Sequence, residues 1–247
     1  MPTFKITLAY DGTDFVGWQR QANGPSIQGL LEEALREFDG RAVTVNGAGR
    51  TDAGVHALGQ VASCSLERAV SPDVLVRALN ARLPAGVRVL SAVEARPDFH
   101  ARFHARAKTY RYRIWNATVL DPFERRYAWH LPGPLDVEAM EAAASLLEGR
   151  HDFAGFQASG GATHTTERTI RTSVVSRTGA LVVYEVAGDG FLRHMVRTIV
   201  GTLVDIGRGR WPAEYVRDVL TATDRTLAGP TAPAEGLFLV SVEYGDL

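Results

Sequence analysis

The chain has 247 residues, of which 45% are hydrophobic and 22% are charged, and its formal net charge is −1 at pH 7. This composition is typical of a soluble globular protein with one large domain or two of ordinary size, and the near-zero charge does not by itself indicate a nucleic-acid partner. The chain has a single cysteine, Cys64, which excludes an internal disulfide. It has no signal-peptide pattern and no apolar run near the ~20 residues of a membrane span. We therefore expect a cytoplasmic protein with no membrane partner.

The first hundred residues alternate between the hydrophobic periods of strands and helices. FKITLAY (4–10) alternates strictly and predicts a half-buried strand. From Ser26 the apolar residues follow helical spacing, and Gly40 ends the predicted helix. The other elements predicted in this part of the chain are strands at 41–46, 60–66 and 87–93 and a helix at 71–83. This β-α-β-β-α-β order is that of a ferredoxin-like fold.

The second half shows the same order of elements, with one added helix, but no matching sequence repeat. We predict strands at 109–115, 169–177, 180–188 and 237–244 and helices at 136–148, 190–206 and 212–220. The expected fold class is α+β, with two ferredoxin-like halves, 1–103 and 104–247, joined through a mainly antiparallel sheet that has helices on one face and a cleft on the other. A stretch rich in Gly, Ser and Thr at 157–167 predicts a mobile surface loop.

Basic residues are concentrated in two segments. The first, 96–113, holds six basic residues against one acid and interleaves them with histidines and aromatic rings. The second, 193–210, holds four arginines against Asp205. Such segments suit a phosphate backbone with stacked bases, although a solvated protein face explains any one of them equally well.

The glycine-rich stretch GAGRTDAGVHALGQ (47–60) predicts a shaped loop that presents Arg50, Asp52 and His56. Asp52 has a structural interpretation, as an Asx-turn or a cap, and a catalytic one, as an ionised carboxylate nucleophile. The loop offers no second carboxylate, which argues against the paired acids of a glycosidase. A cation close to Asp52 would favour its ionised form.

No metal or cofactor site is predicted. His100 and His104 have helical ligand spacing, but the arginines beside them would repel a metal ion, so phosphate contact or plain surface is the preferred interpretation. GDG (188–190) lacks the G-x-G-x-x-G spacing of a dinucleotide site, and no phosphate-loop lysine pattern is found. We therefore expect no nucleotide cofactor.

Three further residues are ambiguous from pattern alone. Cys64 lies in a predicted strand, which favours a buried, inert thiol over a nucleophile. Tyr110 also lies in a strand, where a tyrosine usually packs in the core. Arg197 lies one turn from Arg193 on an otherwise apolar helix, where an arginine extends to water unless it meets a carboxylate and forms a bidentate pair.

Several segments together resemble one enzyme family. GAGRTDAGVHALGQVA (47–62) is similar to the catalytic loop of tRNA pseudouridine(38-40) synthases, the TruA family. Other segments resemble the same family in the same order: YDGTDFVGWQRQ, ALNARLP, FHARFHARAKTYRYRI, EGRHDFAGF, GDGFLRHMVRTIVGTLVDIGRG and AEGLFLVSVEY. The resemblance covers nearly the whole chain, and the loop at 157–167 is the part least like the family.

The resemblance implies an RNA-binding cleft and a homodimer that holds one tRNA across both subunits. It also implies isomerisation of uridine to pseudouridine in the tRNA anticodon stem-loop, at positions 38, 39 and 40, without cofactor or metal. Asp52 matches the family's nucleophile, and Arg197 matches the arginine that pairs with it. Tyr110 matches the tyrosine that stacks on the target uracil, Leu237 the apolar residue that packs at the site, and Arg50 the arginine that helps to extrude the base.

Three other functions fit parts of the sequence. A non-catalytic RNA-binding protein of the same fold would keep the basic segments but has no need for Asp52 and Arg197 together. A glycosidase or nucleosidase would release free uracil and would need a second carboxylate. A methyltransferase or reductase acting on RNA uridine would need a cofactor site, and the sequence offers none.

Overall fold

The computed structural model describes residues 1–160, 163 and 165–245. In chain order its elements are β1 (Thr3–Tyr10), α1 (Ile27–Asp39), β2 (Asn46–Gly47), β3 (His56–Ser65), α2 (Pro72–Asn80), β4 (Val87–Ala95), β5 (Ala105–Trp115), β6 (Trp129–His130), α3 (Val137–Ser145), β7 (Gly149–Asp152), β8 (Glu167–Thr178), β9 (Leu181–Gly188), α4 (Met195–Gly207), α5 (Tyr215–Ala222) and β10 (Leu237–Tyr244). The chain packs as two compact units, Met1–Arg106 with the C-terminal segment from Phe238, and Ala107–Leu237.

The first unit has a four-stranded order, β4–β1–β3–β10, with the short β2 also paired to β3. β1 is antiparallel to both of its neighbours, whereas β10 runs parallel to β3 and sets Phe238 opposite His56. The alternation in the first strand is confirmed, because Phe4, Ile6 and Leu8 are all fully buried. Helices α1 and α2 pack against each other, and α2 packs against β4.

The second unit has the order β5–β9–β8–β7, with β6 parallel to β5. Its other strand pairs are antiparallel, and two fully buried tyrosines, Tyr112 and Tyr184, lie opposite each other on β5 and β9. Helix α4 is buried along nearly its whole length and packs against α3. The α+β class and the mainly antiparallel pairing expected from the sequence are confirmed in both units.

The limits of α1 follow from two residues that the sequence identifies. The Ser26 side chain accepts a hydrogen bond from the amide of Gly29 at 3.2 Å, which satisfies one of the free donors of the first turn. Gly40 takes the left-handed conformation, with a φ of 79°, and its amide bonds back to Arg36. The helix predicted from Ser26 to Gly40 is therefore confirmed.

The strand predicted at 41–46 is wrong except at Asn46. Val43 and Val45 are buried and Ala42 and Thr44 are exposed, so the alternation is real. The main chain nevertheless bonds to a helix, because the amide of Val45 donates to a Glu32 carboxylate oxygen and its carbonyl accepts from the Gln28 side chain of α1. Because side chains already satisfy these main-chain groups, the groups do not form the hydrogen bonds that would pair the segment with a neighbouring strand.

The helix predicted from residue 190 begins only at Met195. His194 lies before the first turn with a φ of 59°, and a left-handed residue cannot continue a right-handed helix. The apolar stripe begins earlier because Leu192 forms a turn with Met195, whose amide bonds to the Leu192 carbonyl at 3.1 Å.

Other predicted limits differ by a few residues. β3 starts at His56 rather than at 60, the helices predicted at 71–83 and 136–148 end early, and the one predicted at 212–220 starts at Tyr215. The short strands β6 and β7 are not foreseen by the sequence. The surface loop predicted at 157–167 includes residues 161, 162 and 164, which lie outside the described residues. Among the described helices, none is long and apolar enough to cross a bilayer.

Helix α4 is crossed at very short range by the segment 228–233. A Cβ atom added to Gly201 would overlap the carbonyl oxygen of Pro230, so only glycine admits this approach. The amide of Gly229 donates to the Thr202 hydroxyl at 2.9 Å, which fixes the crossing segment to the helix. The crossing thereby sets the path of the chain that leads into β10.

We expect Gly201→Ala to destabilise the protein by about 1–3 kcal/mol, because the clash is with main chain and no rotamer relieves it. Urea unfolding measures the loss. Gly86→Ala is the matched control, since its added Cβ meets its nearest neighbour at 3.5 Å, an ordinary contact. Equal unfolding midpoints for the two variants would contradict the close approach.

Candidate active site

The loop between β2 and β3 is held by the chain that follows β1. The amide of Trp18 donates to the carbonyl of Thr51 at 3.0 Å, and the amide of Gly54 donates to the carbonyl of Phe15 at 3.4 Å. Gly17 has a φ of 103°, and a Cβ added to it would lie 2.5 Å from the Thr51 carbonyl oxygen. The segment that holds the loop therefore requires glycine at this position.

A buried hydrogen-bond network lies at the base of the same loop. The hydroxyls of Tyr10 and Thr51 are 2.9 Å apart. The side-chain amide of Gln60, which is 0% exposed, donates to the Tyr10 hydroxyl at 3.3 Å and to the carbonyl of Gly49 at 3.0 Å. Burial raises the pKa of Tyr10 to about 12, so its phenol keeps its proton at neutral pH. Strands β1 and β3 thus hold the loop on both sides of Arg50, through the Thr51 hydroxyl and the Gly49 carbonyl.

Asp52 is half-buried and Arg50 is exposed on this loop. The main-chain carbonyl of Asp52 accepts a hydrogen bond from the amide of Val55 at 3.2 Å, which closes a turn. Asp52 therefore lies in a main-chain turn and is partly exposed, and the Asx-turn or cap of its structural interpretation stays a prediction. A partly exposed carboxylate on a fixed backbone is suited to attack on a substrate that enters from outside.

His56 was predicted to be presented by the loop, and this is wrong. It is almost completely buried, and its ring stacks on Phe238 with centroids 4.6 Å apart. Its Nδ1 accepts a hydrogen bond from the amide of Gly12 at 3.0 Å and lies 3.2 Å from a carboxylate oxygen of Asp11. His56 therefore joins the end of the loop to the turn after β1 and to β10.

The other predicted site residues belong to the second unit. Tyr110 lies on β5, is largely buried, and meets the ring of Phe191 edge-on with centroids 5.0 Å apart. Arg197 lies on α4, and its Nε donates to the carbonyl of Ala232 at 2.7 Å while the Ala232 amide donates to the Arg197 carbonyl at 3.0 Å. The first bond orients the guanidinium group toward the segment that crosses α4, and the second ties the main chain of that segment to the helix.

Leu237 is buried and is the first residue of β10. It is followed directly by Phe238, the ring that stacks on His56. Asp52 and Arg50 thus lie in one unit, whereas Tyr110, Arg197 and Leu237 lie in the other. The pairing of Asp52 with Arg197 stays a prediction.

The sequence missed the residues that hold the site. Tyr10, Thr51 and Gln60 were not singled out, although a glutamine within the apolar strand at 60–66 is a recognisable exception to its pattern. Buried side-chain amides are nearly always hydrogen-bonded, so this residue type at an inward position points to a polar network. Its partners come from other segments and have no local pattern of their own.

Part of the basic segment 96–113 is neutralised within the protein. Arg111 pairs with Glu185 at 2.8 Å, Arg113 pairs with Glu124 at 2.8 Å, and Arg96 lies 3.4 Å from Asp98. These ion pairs reduce the charge that the three arginines offer to a phosphate backbone. The cationic surface of this segment is therefore narrower than its composition indicates.

His100 and His104 use their Nδ1 atoms within one turn. Nδ1 of His104 accepts from the amide of His100 at 3.1 Å, and Nδ1 of His100 accepts from the amide of Arg102 at 3.1 Å. A neutral imidazole that accepts at Nδ1 carries its proton on Nε2, so neither ring offers a lone pair to a metal ion in this arrangement. In the described ranges, no three His, Cys, Asp or Glu side chains are grouped in a way that could hold a metal ion.

The comparisons with known proteins agree on one family. A family model described as tRNA pseudouridine synthase matches residues 6–104 and 143–245, which include Arg50, Asp52, Arg197 and Leu237 and leave Tyr110 between the two matched segments. The chain is 51% identical to a tRNA pseudouridine synthase A of Moorella thermoacetica, over 99% of this chain and 100% of the relative.

Two further relatives carry the same name. The chain is 48% identical to a tRNA pseudouridine synthase A of Pelobacter propionicus, over 99% of this chain and 100% of the relative. It is 49% identical to a tRNA pseudouridine synthase A of Myxococcus xanthus, over 100% of this chain and 93% of the relative. The similarity therefore extends over the full length of the chain.

Cys64 is free and buried on β3, and burial, with a smaller effect of the Asp39 charge, raises the pKa of its thiol to about 12. We therefore expect Ellman's reagent at pH 8 to react with the folded chain at least about a hundredfold more slowly than with the urea-unfolded chain, whose thiol has a pKa of ~8.5. The raised pKa also means that stability present below pH ~8.5 is lost as the pH rises towards about 12, because only the unfolded chain ionises there. Rapid reaction of the folded chain would contradict this burial.

Proposed function

Since the chain belongs to the tRNA pseudouridine synthase family, we propose that it isomerises uridine to pseudouridine in the anticodon stem-loop of tRNA, at positions 38, 39 and 40, with Asp52 as the nucleophile. The observation that carries this proposal is the setting of Asp52. Asp52 is half-buried on a loop whose main chain is held at two points. The carbonyl of Thr51 accepts a hydrogen bond from the Trp18 amide, and the carbonyl of Gly49 accepts one from the Gln60 side chain of β3.

The reaction keeps every atom of the uridine. The bond between C1′ and N1 of uracil breaks, a bond between C1′ and C5 forms, the C5 proton leaves, and N1 gains a proton. Because the product is an isomer of the substrate, no oxidant, reductant or group donor is consumed, and we propose that no cofactor or metal takes part. Asp52 serves by attack on C1′, by attack on C6 or by assisting a glycal route, and the three routes share an ionised carboxylate.

Arg197 is proposed to pair with Asp52 and keep it ionised. Its support is the orientation of the guanidinium group, which donates a hydrogen bond from Nε to the carbonyl of Ala232. A nearby permanent cation lowers the pKa of a carboxylate and so favours its charged form. An arginine that is already oriented loses less freedom when it forms a bidentate pair.

Tyr110 and Leu237 are proposed to hold the detached uracil, and Arg50 to help extrude it. A tyrosine face and an apolar side chain form a stacking slot that keeps the base at the site while it rotates. The target base leaves its stem at a cost of a few kcal/mol, and an exposed arginine beside the nucleophile is suited to fill the gap. The base that removes the C5 proton is either the Tyr110 hydroxyl or a water molecule.

The wider assembly is proposed on the same family membership. Two ferredoxin-like halves, 1–103 and 104–247, would join their sheets, leaving an RNA-binding cleft on the face opposite the helices. A homodimer would hold one tRNA across both subunits, in the cytoplasm. Affinity for the phosphate backbone depends on the local basic surface, which a dimer doubles, and not on the net charge of −1 per chain.

We expect Asp52→Asn to abolish tritium release from tRNA transcripts labelled at uracil C5, by at least about a thousandfold, because the amide cannot act as a nucleophile. Affinity for tRNA, measured by fluorescence anisotropy, should not change, since the amide has the shape of the carboxylate. Asp73→Asn, an exposed acid in the first turn of α2, is the matched control and should release tritium like the wild type.

Two outcomes would overturn the proposal. Binding of several full-length tRNAs by the wild type without any tritium release would identify a non-catalytic RNA-binding protein. Release of free uracil, with no pseudouridine in the product, would identify a nucleosidase.

A further inference from the structure

The turn at 99–104, in the first unit, is anchored firmly to the sheet. Phe99 is buried in a small cluster with Ala48 and Ala101. The Tyr244 hydroxyl donates to the carbonyl of Ala101 at 2.7 Å. Since Ala48 belongs to the same loop as Asp52, the turn packs directly on the base of the candidate nucleophile's loop.

Hydrogen bonds within the turn fix its backbone as well. The amide of His104 donates to the carbonyl of His100 at 3.1 Å, and the amide of His100 returns a bond to Nδ1 of His104. Nδ1 of His100 in turn accepts from the amide of Arg102. The side chains of Arg102 and Phe103 therefore project from a backbone with a single, well-determined path.

Phe103 is 73% exposed at the tip of this fixed turn. The ring centroids of Phe103 and His100 are 4.3 Å apart, and Cζ of the Arg102 guanidinium lies 5.9 Å from the Phe103 centroid. Within residues 1–160, 163 and 165–245, the Arg102 guanidinium makes no hydrogen bond and no ion pair. An aromatic ring held on a fixed backbone beside an unpaired arginine is a candidate binding surface, because aromatic and arginine side chains are enriched among the residues that dominate binding energy.

The charge around the turn indicates the chemistry of the partner. The stretch 96–106 carries three arginines, Arg96, Arg102 and Arg106, and its single acid, Asp98, pairs with Arg96. An aromatic face with an adjacent guanidinium matches a nucleotide, whose base stacks on the ring while its phosphate meets the cation. A contact between two copies of the chain would instead favour a wider apolar patch than one ring bordered by His100 and Arg102.

We propose that Phe103 and Arg102 form a binding site for one unpaired nucleotide of the substrate RNA, outside the pocket that receives the target uridine. The base stacks on Phe103, and the phosphate accepts hydrogen bonds from Arg102. The inference rests on the proposed function, which identifies the RNA as the substrate. It adds a contact that positions this RNA outside the pocket for the target uridine. The position of the turn against Ala48 means that a nucleotide bound there lies beside the loop that carries Asp52.

Phe103→Leu tests the stacking contact, because leucine keeps an apolar side chain but has no aromatic face. We expect the Kd for an unmodified tRNA transcript, measured by anisotropy, to rise between about five- and a hundredfold, the range for losing one base–aromatic stack. Phe103→Trp should retain wild-type affinity. The added tryptophan should also lose fluorescence on binding tRNA, relative to the wild type with its four tryptophans.

Arg102→Gln tests the phosphate contact separately. We expect the slope of log Kd against log salt concentration to fall by about 0.7–0.9, the value for one phosphate contact. Phe103→Leu should leave that slope unchanged, because stacking releases no counterions. Both side chains are exposed, so urea unfolding should give wild-type midpoints and exclude a loss of fold.

Two results would overturn the inference. If wild-type protein forms pseudouridine and Phe103→Leu binds the transcript as tightly as the wild type, the nucleotide site is absent although the proposed function stands. If Phe103→Leu lowers the molecular mass in sedimentation without changing tRNA affinity, the turn is a contact between copies of the chain. The wild type could also bind tRNA more tightly than Phe103→Leu and yet form no pseudouridine. This result would refute the proposed function and support the nucleotide site.

Discussion

The buried hydrogen bonds among Tyr10, Thr51 and Gln60 are the interaction on which the candidate site depends. Tyr10 comes from β1 and Gln60 from β3, and together they hold the loop at Thr51 and at the carbonyl of Gly49. Loss of any one partner would leave a buried polar group unpaired, which costs about 1–3 kcal/mol, so the members of the network support one another. The position of Asp52 is thereby determined by residues that have no chemical role of their own.

The second unit uses the same principle with different groups. Arg197 stands on a buried helix and exchanges two hydrogen bonds with Ala232, and the approach of this segment to the helix is possible only because residue 201 is glycine. In both units a proposed catalytic side chain thus lies on backbone that neighbouring main-chain and hydroxyl groups hold in place. Such rigidity suits a reaction in which a base is detached, turned and rejoined, because small errors in position are costly in rate.

Features set by local sequence were predicted well, and features set by tertiary packing were not. Helix α1 was found between Ser26 and Gly40 because its caps are local, and the glycine-rich loop was found because its composition is distinctive. The segment 41–46 alternates like a strand, but the side chains of α1 satisfy its main chain. His56 was expected on the surface because nothing in the loop shows that Phe238, far along the chain, covers it.

Tyr10→Phe tests most directly whether the buried network sets the rate of the reaction, because it removes one hydroxyl and nothing else. Its matched control is Tyr184→Phe in the second unit, whose hydroxyl lies 3.0 Å from that of Ser173 in a similarly buried pair. We expect both variants to lose about 1 kcal/mol of stability, and only Tyr10→Phe to slow single-turnover pseudouridine formation, by about a hundredfold with tRNA affinity unchanged. A wild-type rate for Tyr10→Phe, or the same loss of rate in both variants, would contradict this account.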